Sequence, residues 1–383
     1  MMRCNEPAWW FPAVSALVTV LCGVANGMDK PKTLLLIQPT KQYPRYGEGS
    51  LVELKDGRLF LCYTRFERGS HDNSLADIVA RTSKDNGATW GRTRVLVGRD
   101  EAKENVMSAS ILRLKSGDLL LLYVRKNGWG DCNAYVRRST DEFKTLGEPV
   151  CVTGTKGYHV VNNDRAVQLS TGRIVVPAAL HPCRDGTRKT WTPYGRPRVF
   201  VSDDNGKTWR LAGLVPTPKR KVMLQEPGIV ERKNGRLRMW MRTDAGCQYE
   251  SVSDDAGHTW TTPKPGKIQS PLSPASIRRV PWTGDLMLVW NDHSGDHPYP
   301  KDQPRYRDRS PVCAAISTDD GKTWRKSRVI ENDLSGCFAY FSITFLDDRA
   351  LVGYFSKKKG ATRFALKVVS LPRRWLYATP SAP

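Results

Sequence analysis

Apolar and polar residues alternate with a period of two in six stretches of the chain, and each stretch is broken by a tight polar turn before a second apolar run. The first is Ser50-Leu51-Val52-Glu53-Leu54-Lys55-Asp56-Gly57-Arg58-Leu59-Phe60-Leu61. Such alternation sends successive side chains to opposite sheet faces, and Asp-Gly between two such runs predicts a β-hairpin. Further hairpins begin at Ser110, Ala166, Gly228, Ser276 and Ser342; the last, ending Leu346-Asp347-Asp348, lacks the turn glycine. No long helical period competes with this pattern.

A second pattern runs between the hairpins. The word Ser-x-Asp-x-Gly-x-Thr-Trp stands at Ser83 to Trp90, Ser202 to Trp209, Ser253 to Trp260 and Ser317 to Trp324, with a worn copy from Ser139 to Leu146. Its Asp suits a turn that bonds nearby backbone N–H groups, its Gly suits positive φ, and its Trp offers a plate to bury beneath the turn. The word is therefore structural. Hairpin, third strand, turn word and fourth strand repeat at intervals of about fifty to sixty residues, the signature of a propeller blade. The chain is expected to be all-β, a six-bladed β-propeller of four-stranded antiparallel blades. The sixth blade has no turn word, and the apolar run Thr33-Leu34-Leu35-Leu36-Ile37 is expected to supply its outer strand and cover the last sheet edge.

Composition agrees: 12 Trp, 31 Gly and 25 Pro in 383 residues suit a turn-rich β protein. Arg3, the apolar run Ala8 to Val24 and then Ala25-Asn26-Gly27 read as a signal peptide. The expected organisation is a signal peptide over residues 1–27, a propeller over 28–375 and a loose tail over 376–383, in a secreted or periplasmic protein without lasting membrane insertion. Seven cysteines follow the leader, an odd number, so at least one is unpaired. With 60 Lys+Arg against 38 Asp+Glu the net charge is +22, which favours anionic partners. The basic residues are dispersed, which argues against nucleic acid. No metal-ligand spacing is recognisable and no cofactor is expected. Oligomeric state has no signature in the sequence.

The four full turn words in phase with six hairpins resemble the Asp boxes of the sialidase (neuraminidase) superfamily, and the resemblance covers nearly the whole chain after the leader. It implies an exo-acting retaining glycosidase on a sialylated or other acidic glycan, using a Tyr nucleophile because a carboxylate would be repelled by the substrate's own carboxylate. On that resemblance Tyr340, at the start of the sixth hairpin, is the nucleophile, Glu226 before the fourth hairpin is its base, and Asp72, on the loop after the first hairpin, is the acid/base, with Asp77 as the alternative. Arg242 and Arg309 are the arginines expected to bind the substrate carboxylate by paired N–H bonds, with Arg307 competing for the second place. The family's Tyr-Arg-Ile-Pro at the first hairpin is replaced by Tyr46-Gly47-Glu48-Gly49, so the third arginine falls to Arg45 or Arg65. Glu48 on the floor would repel a carboxylate unless an arginine neutralises it. It leaves open a Glu48/Glu226 pair acting on another sugar, as a hydrolase or lyase on another anionic glycan, or a propeller that only binds glycan. The polar run Asn162-Asn163-Asp164-Arg165, with Asn163 and Arg165 foremost, is read as binding sugar hydroxyls, and His159 and Asn291-Asp292-His293 are further inward candidates.

Overall fold

A computed structural model describes residues 30–301 and 309–378, together with Met1. Apart from Met1 the expected signal peptide lies outside these residues, as does Arg307. Among the described residues no helix is long and apolar enough to cross a membrane.

The strands form six antiparallel blades. The first contains Arg45–Glu53, Leu59–Phe66, Ala76–Ser83 and Arg94–Val97, in that order outward. The fourth (Gln225–Glu231 through Lys264–Gln269) and fifth (Ser276–Arg279 through Arg328–Glu331) repeat this arrangement. In the sixth, Cys337–Phe345, Arg349–Lys357 and Ala365–Pro372 are completed by Lys32–Ile37, which pairs antiparallel with Ala365–Pro372, Lys32 opposite Ser370. The early apolar run therefore takes the outer place expected for it.

One feature departs from six separate blades. Gly157–Val160 pairs antiparallel with Ile174–His181 of the third blade and parallel with Asp131–Ser139 of the second, joining the two into a nine-stranded sheet. Extended backbone lying between two blade edges satisfies its N–H and C=O groups on both sides, and here both edges were open to it.

The apolar core lies between blades, not within them. Phe60 and Ile78 pack on Tyr123 and Phe143 between blades one and two, and Val199 and Val201 on Met239 and Met241 between three and four. Tyr63 and Leu61 meet Leu351 and Val368 between blades one and six, which closes the ring. The turn words lock themselves as expected. Ser317 Oγ accepts from Gly321 N at 2.7 Å while Asp319 accepts from Thr323 N at 2.9 Å. The worn copy folds the same way: Phe143 takes the glycine's place at φ 60°, and its ring stacks 4.8 Å from Phe60.

At the axis, Asp164 ties four blades together. Its carboxylate accepts from Arg278 of blade five at 2.6 Å, from Ile343 N of blade six at 3.1 Å and from Ser50 of blade one at 3.4 Å. Asn163 Nδ2 donates to Gly49 O at 2.7 Å and Tyr340 O at 3.1 Å, and Arg165 donates to Ala275 O at 2.9 Å and Ser276 Oγ at 3.2 Å. The expectation that Asn163 and Arg165 bind sugar hydroxyls is corrected: both are buried and donate to blades across the axis. At the other end, residues 376–378, expected to be loose, continue the ordered chain. Arg373–Tyr377 is helical, Leu376 is buried, and the Tyr377 hydroxyl donates to Asp285 Oδ2 at 3.0 Å. Cys62, Cys132, Cys151, Cys183, Cys247 and Cys313 are free thiols.

Candidate active site

The inner strands share a local irregularity that builds the site. In blades one, two, four and six the inner strand slips register by a bulge, between Gly47/Ser50, Met107/Ser110, Gln225/Gly228 and Ala339/Ser342. In each bulge a non-glycine residue holds positive φ: Glu48 at 50°, Ser108 at 61°, Glu226 at 47° and Tyr340 at 64°. A bulge re-aims one side chain out of the sheet's alternation, and left-handed backbone costs on the order of 1 kcal/mol per residue. The four re-aimed side chains line one cavity of about 700 Å³. Asp164 is in the same conformation, φ 57°, at the matching place of blade three. In blade five that place is held by Pro274, whose ring excludes positive φ. Gly49 after the first bulge is required by space, since a Cβ there would stand 2.7 Å from Cys62 O.

Around this cavity the structure brings together Arg45, Glu48, Asp72, Glu226, Arg242, Arg309 and Tyr340. Tyr340 Oη lies 3.4 Å from Glu226 Oε1, which also accepts from Arg242 at 2.8 Å. The guanidinium of Arg309 stands 5.6 Å from the centre of the Tyr340 ring. Burial, with the adjacent Glu226 next, pushes the Tyr340 phenol up, while Arg309 and Arg242 oppose the rise. The phenol is thus neutral at rest. Among the described residues, buried Glu226 Oε2, Arg242 Nε, Arg309 Nε and Asn162 Nδ2 have no hydrogen-bond partner.

Across the cavity Arg45 is shared by two carboxylates, bonding Glu48 directly and Asp72 Oδ1 at 2.6 Å. The Asp72 loop is pinned from behind. Asn105 Nδ2 donates to Asp72 O at 2.9 Å, and the fully buried Lys126 donates to Asn73 Oδ1 at 2.7 Å. Burial would raise Asp72, but Arg45, Lys126 and Arg242 outweigh it and hold its carboxyl low. Because its side chain is 59% exposed at the cavity mouth, solvent screens part of that pull. Glu48, 2% exposed, goes the other way: burial pushes it up to about 7 against the opposing Arg45, and Asp72 adds to the rise. Of two carboxylates on one guanidinium, the buried one holds its proton.

Glu48 makes one prediction. A carboxyl whose folded value exceeds its ordinary one binds protons more tightly when folded, so its contribution to stability falls as pH rises from about 4.5 to about 7. Glu48→Gln can still accept from Arg45. It is expected to flatten that fall by about 1–3 kcal/mol, read from urea midpoints on either side of the window. An unchanged slope would place the titration elsewhere.

Arg65, offered as a third arginine, does not reach the cavity. Cross-strand pairing sets Gly47 opposite Thr64, and the residues opposite the corresponding place in other blades, Val124, Arg242 and Phe355, line the cavity. Arg65 is one residue further and faces the other way, pairing with Asp77 at 3.0 Å and lying 4.3 Å over the Tyr43 ring. Asp77 is thereby structural. The far wall was not foreseen from the sequence. Tyr158, Trp191 and His181 line it, with the Trp191 and His181 rings stacked at 5.2 Å. Burial holds His159 and His181 down at about 4, so both imidazoles are neutral near pH 7. Asp292, the other inward candidate, is tied to Ser327 at 2.6 Å in the fifth blade, outside the cavity lining.

Comparison with known proteins fits this architecture. The BNR repeat-like domain family matches residues 57–355, and the chain belongs to it, within the sialidase superfamily. It is 26% identical over 236 residues to a sialidase of Paraclostridium sordellii, covering 55% of this chain and 56% of that one. A sialidase of Micromonospora viridifaciens is 25% identical over 350 residues, 82% of this chain and 50% of that one. The chain thus spans about half the length of the curated relatives it matches. Among solved structures, Trypanosoma rangeli sialidase in complex with sialic acid superimposes with a TM-score of 0.66 at 17% identity, over 90% of this chain and 59% of that one. A protein of unknown function from Dyadobacter fermentans gives 0.70 at 19% identity, over 89% and 99%. These structural likenesses speak for the fold.

Proposed function

We propose that the chain is a retaining exo-glycosidase of sialidase type, exported from the cell, that releases a terminal sialic acid or related acidic sugar. The observation that carries this reading is the placement of Tyr340 against Glu226 between Arg242 and Arg309. The two guanidiniums grip the substrate carboxylate, which brings the anomeric carbon to the Tyr340 oxygen. As that oxygen attacks, Glu226 takes its proton and the arginines stabilise the developing phenolate. Asp72 protonates the departing oxygen and later draws the proton from the water that releases the sugar. It is ionised at rest, so it takes up its proton as the bound sugar excludes solvent from the mouth and weakens the preference for charge.

One observation favours a second reading. Glu48, held up to about 7, stands in the same cavity and already carries a proton near neutrality. It would then be the acid, and the sugar one whose hydroxyl, not carboxylate, meets the floor. A fluorogenic α-sialoside offered to purified protein separates the two. Release that is lost in Asp72→Asn but kept in Glu48→Gln supports the first reading. Release only from a uronic or sulfated glycoside, lost in Glu48→Gln, supports the second. Binding of acidic glycan with no turnover of any glycoside would leave a lectin-like propeller.

A further inference from the structure

The cavity wall on the third-blade side is thin. It is formed by Trp191-Thr192-Pro193-Tyr194, of which Trp191 and Pro193 face the cavity while Thr192 and Tyr194 face a second groove of about 760 Å³. The charged residues lining this groove are all of one sign: Arg196, Arg198, Arg220 and Lys221, with no carboxylate. Several surface arginines outside the groove are compensated. Arg173 and Arg210 share Asp203, Arg236 holds Asp254, and Arg138 holds Asp118. Among the described residues none of the four groove cations has such a partner. Lys221 instead lies 4.4 Å over the Tyr194 ring, and Arg198 Nε is buried without an acceptor. Burial and the neighbouring Arg196 both make the charge on Arg198 harder to keep. Four uncompensated cations in one concave site focus a field that an anion would relieve. Exposed Leu214 beside them adds an apolar surface for a sugar ring.

We infer that this groove is a second subsite, which takes an anionic residue further along the glycan whose terminal sugar occupies the cavity. The inference rests on the glycosidase reading above and narrows its substrate class to chains bearing more than one negative charge. A single acidic sugar on a neutral aglycone would fill the cavity and leave the groove unused. Carboxylate and sulfate fit the groove alike, since an arginine fork accepts either.

The test uses the full chain, Tyr340→Phe to prevent turnover, and Tyr340→Phe with Arg220→Ser and Lys221→Ser, both exposed positions. Binding of a sialic acid hexamer, a heparin-type hexasaccharide and maltohexaose is followed by calorimetry at low and high salt. The groove variant is expected to bind at least one acidic hexamer about tenfold more weakly, with a shallower salt dependence, while a methyl sialoside monosaccharide loses much less. The sugar that shows the loss tells carboxylate from sulfate. Equal losses for hexamer and monosaccharide, no loss for either, or the same loss for a single-stranded DNA of matched charge would overturn the subsite. If the unsubstituted protein cleaves no sialoside yet the hexamer still depends on Arg220 and Lys221, the groove stands and the catalytic reading fails.

Discussion

Tyr340→Phe is expected to lower kcat on an aryl α-sialoside by about 10⁴-fold while the propeller stays folded. The substitution removes one oxygen. Its hydrogen bond to Glu226 is long, 3.4 Å, and the ring keeps its contact with Phe355 at 5.3 Å, so little stability is lost. Glu226→Gln is expected to cost about 10²–10⁴-fold, because an amide cannot accept the phenolic proton. The double substitution should be scarcely slower than Tyr340→Phe alone, since base and nucleophile act in one step. Substrate binding should survive in both, as Arg242 and Arg309 remain. Thermal melts followed by circular dichroism separate chemistry from folding. Should Tyr340→Phe retain most of the activity, the phenol would not be the nucleophile, and a carboxylate pair would have to replace it.

The second large effect concerns stability. Asp164→Ala is expected to destabilise the protein by roughly 3 kcal/mol, read from the urea midpoint. The carboxylate is buried, and its removal leaves the Ile343 N–H without an acceptor and the Arg278 guanidinium with only the backbone carbonyls of residues 164 and 166. Arg278 is partly exposed, which keeps the figure below that of a fully buried pair. Replacing both partners by leucine should recover much of the loss, because the cost lies in the orphaned partner more than in the pair. A small effect for Asp164→Ala would mean that inter-blade apolar packing alone holds the axis.

Much of this architecture was legible in the chain. Hairpin periodicity and turn words give the blades, because alternation and Asp-Gly turns are local physics. The outer strand from Lys32–Ile37 was readable because the sixth blade lacked a turn word and an apolar run lay unclaimed. Glu48, Glu226 and Tyr340 share a feature visible only in retrospect: each stands two residues before the first small residue of its hairpin. That place is left-handed in five of six blades. The same rule selects Asp164, yet that side chain turned to the axis, because Arg278 and the Ile343 N–H were waiting there. No local pattern tells a polar residue facing a ligand from one facing another blade across the axis. Asn163 and Arg165 were misread for that reason. Arg65 was misplaced by a single residue of register, which the turn geometry fixes and the composition of the strand does not.

The pairing of Lys32–Ile37 with Ala365–Pro372 also orders events during synthesis. The ribosome delivers one half of that ladder before any blade exists and the other only after the fifth is complete. Until then Leu34, Leu35 and Leu36 form a sticky orphan segment, the kind that other chains can capture. Once the latch engages, peeling it away bares the edge of the last blade, so loss of the earliest strand and loss of the latest should unravel the ring from the same seam.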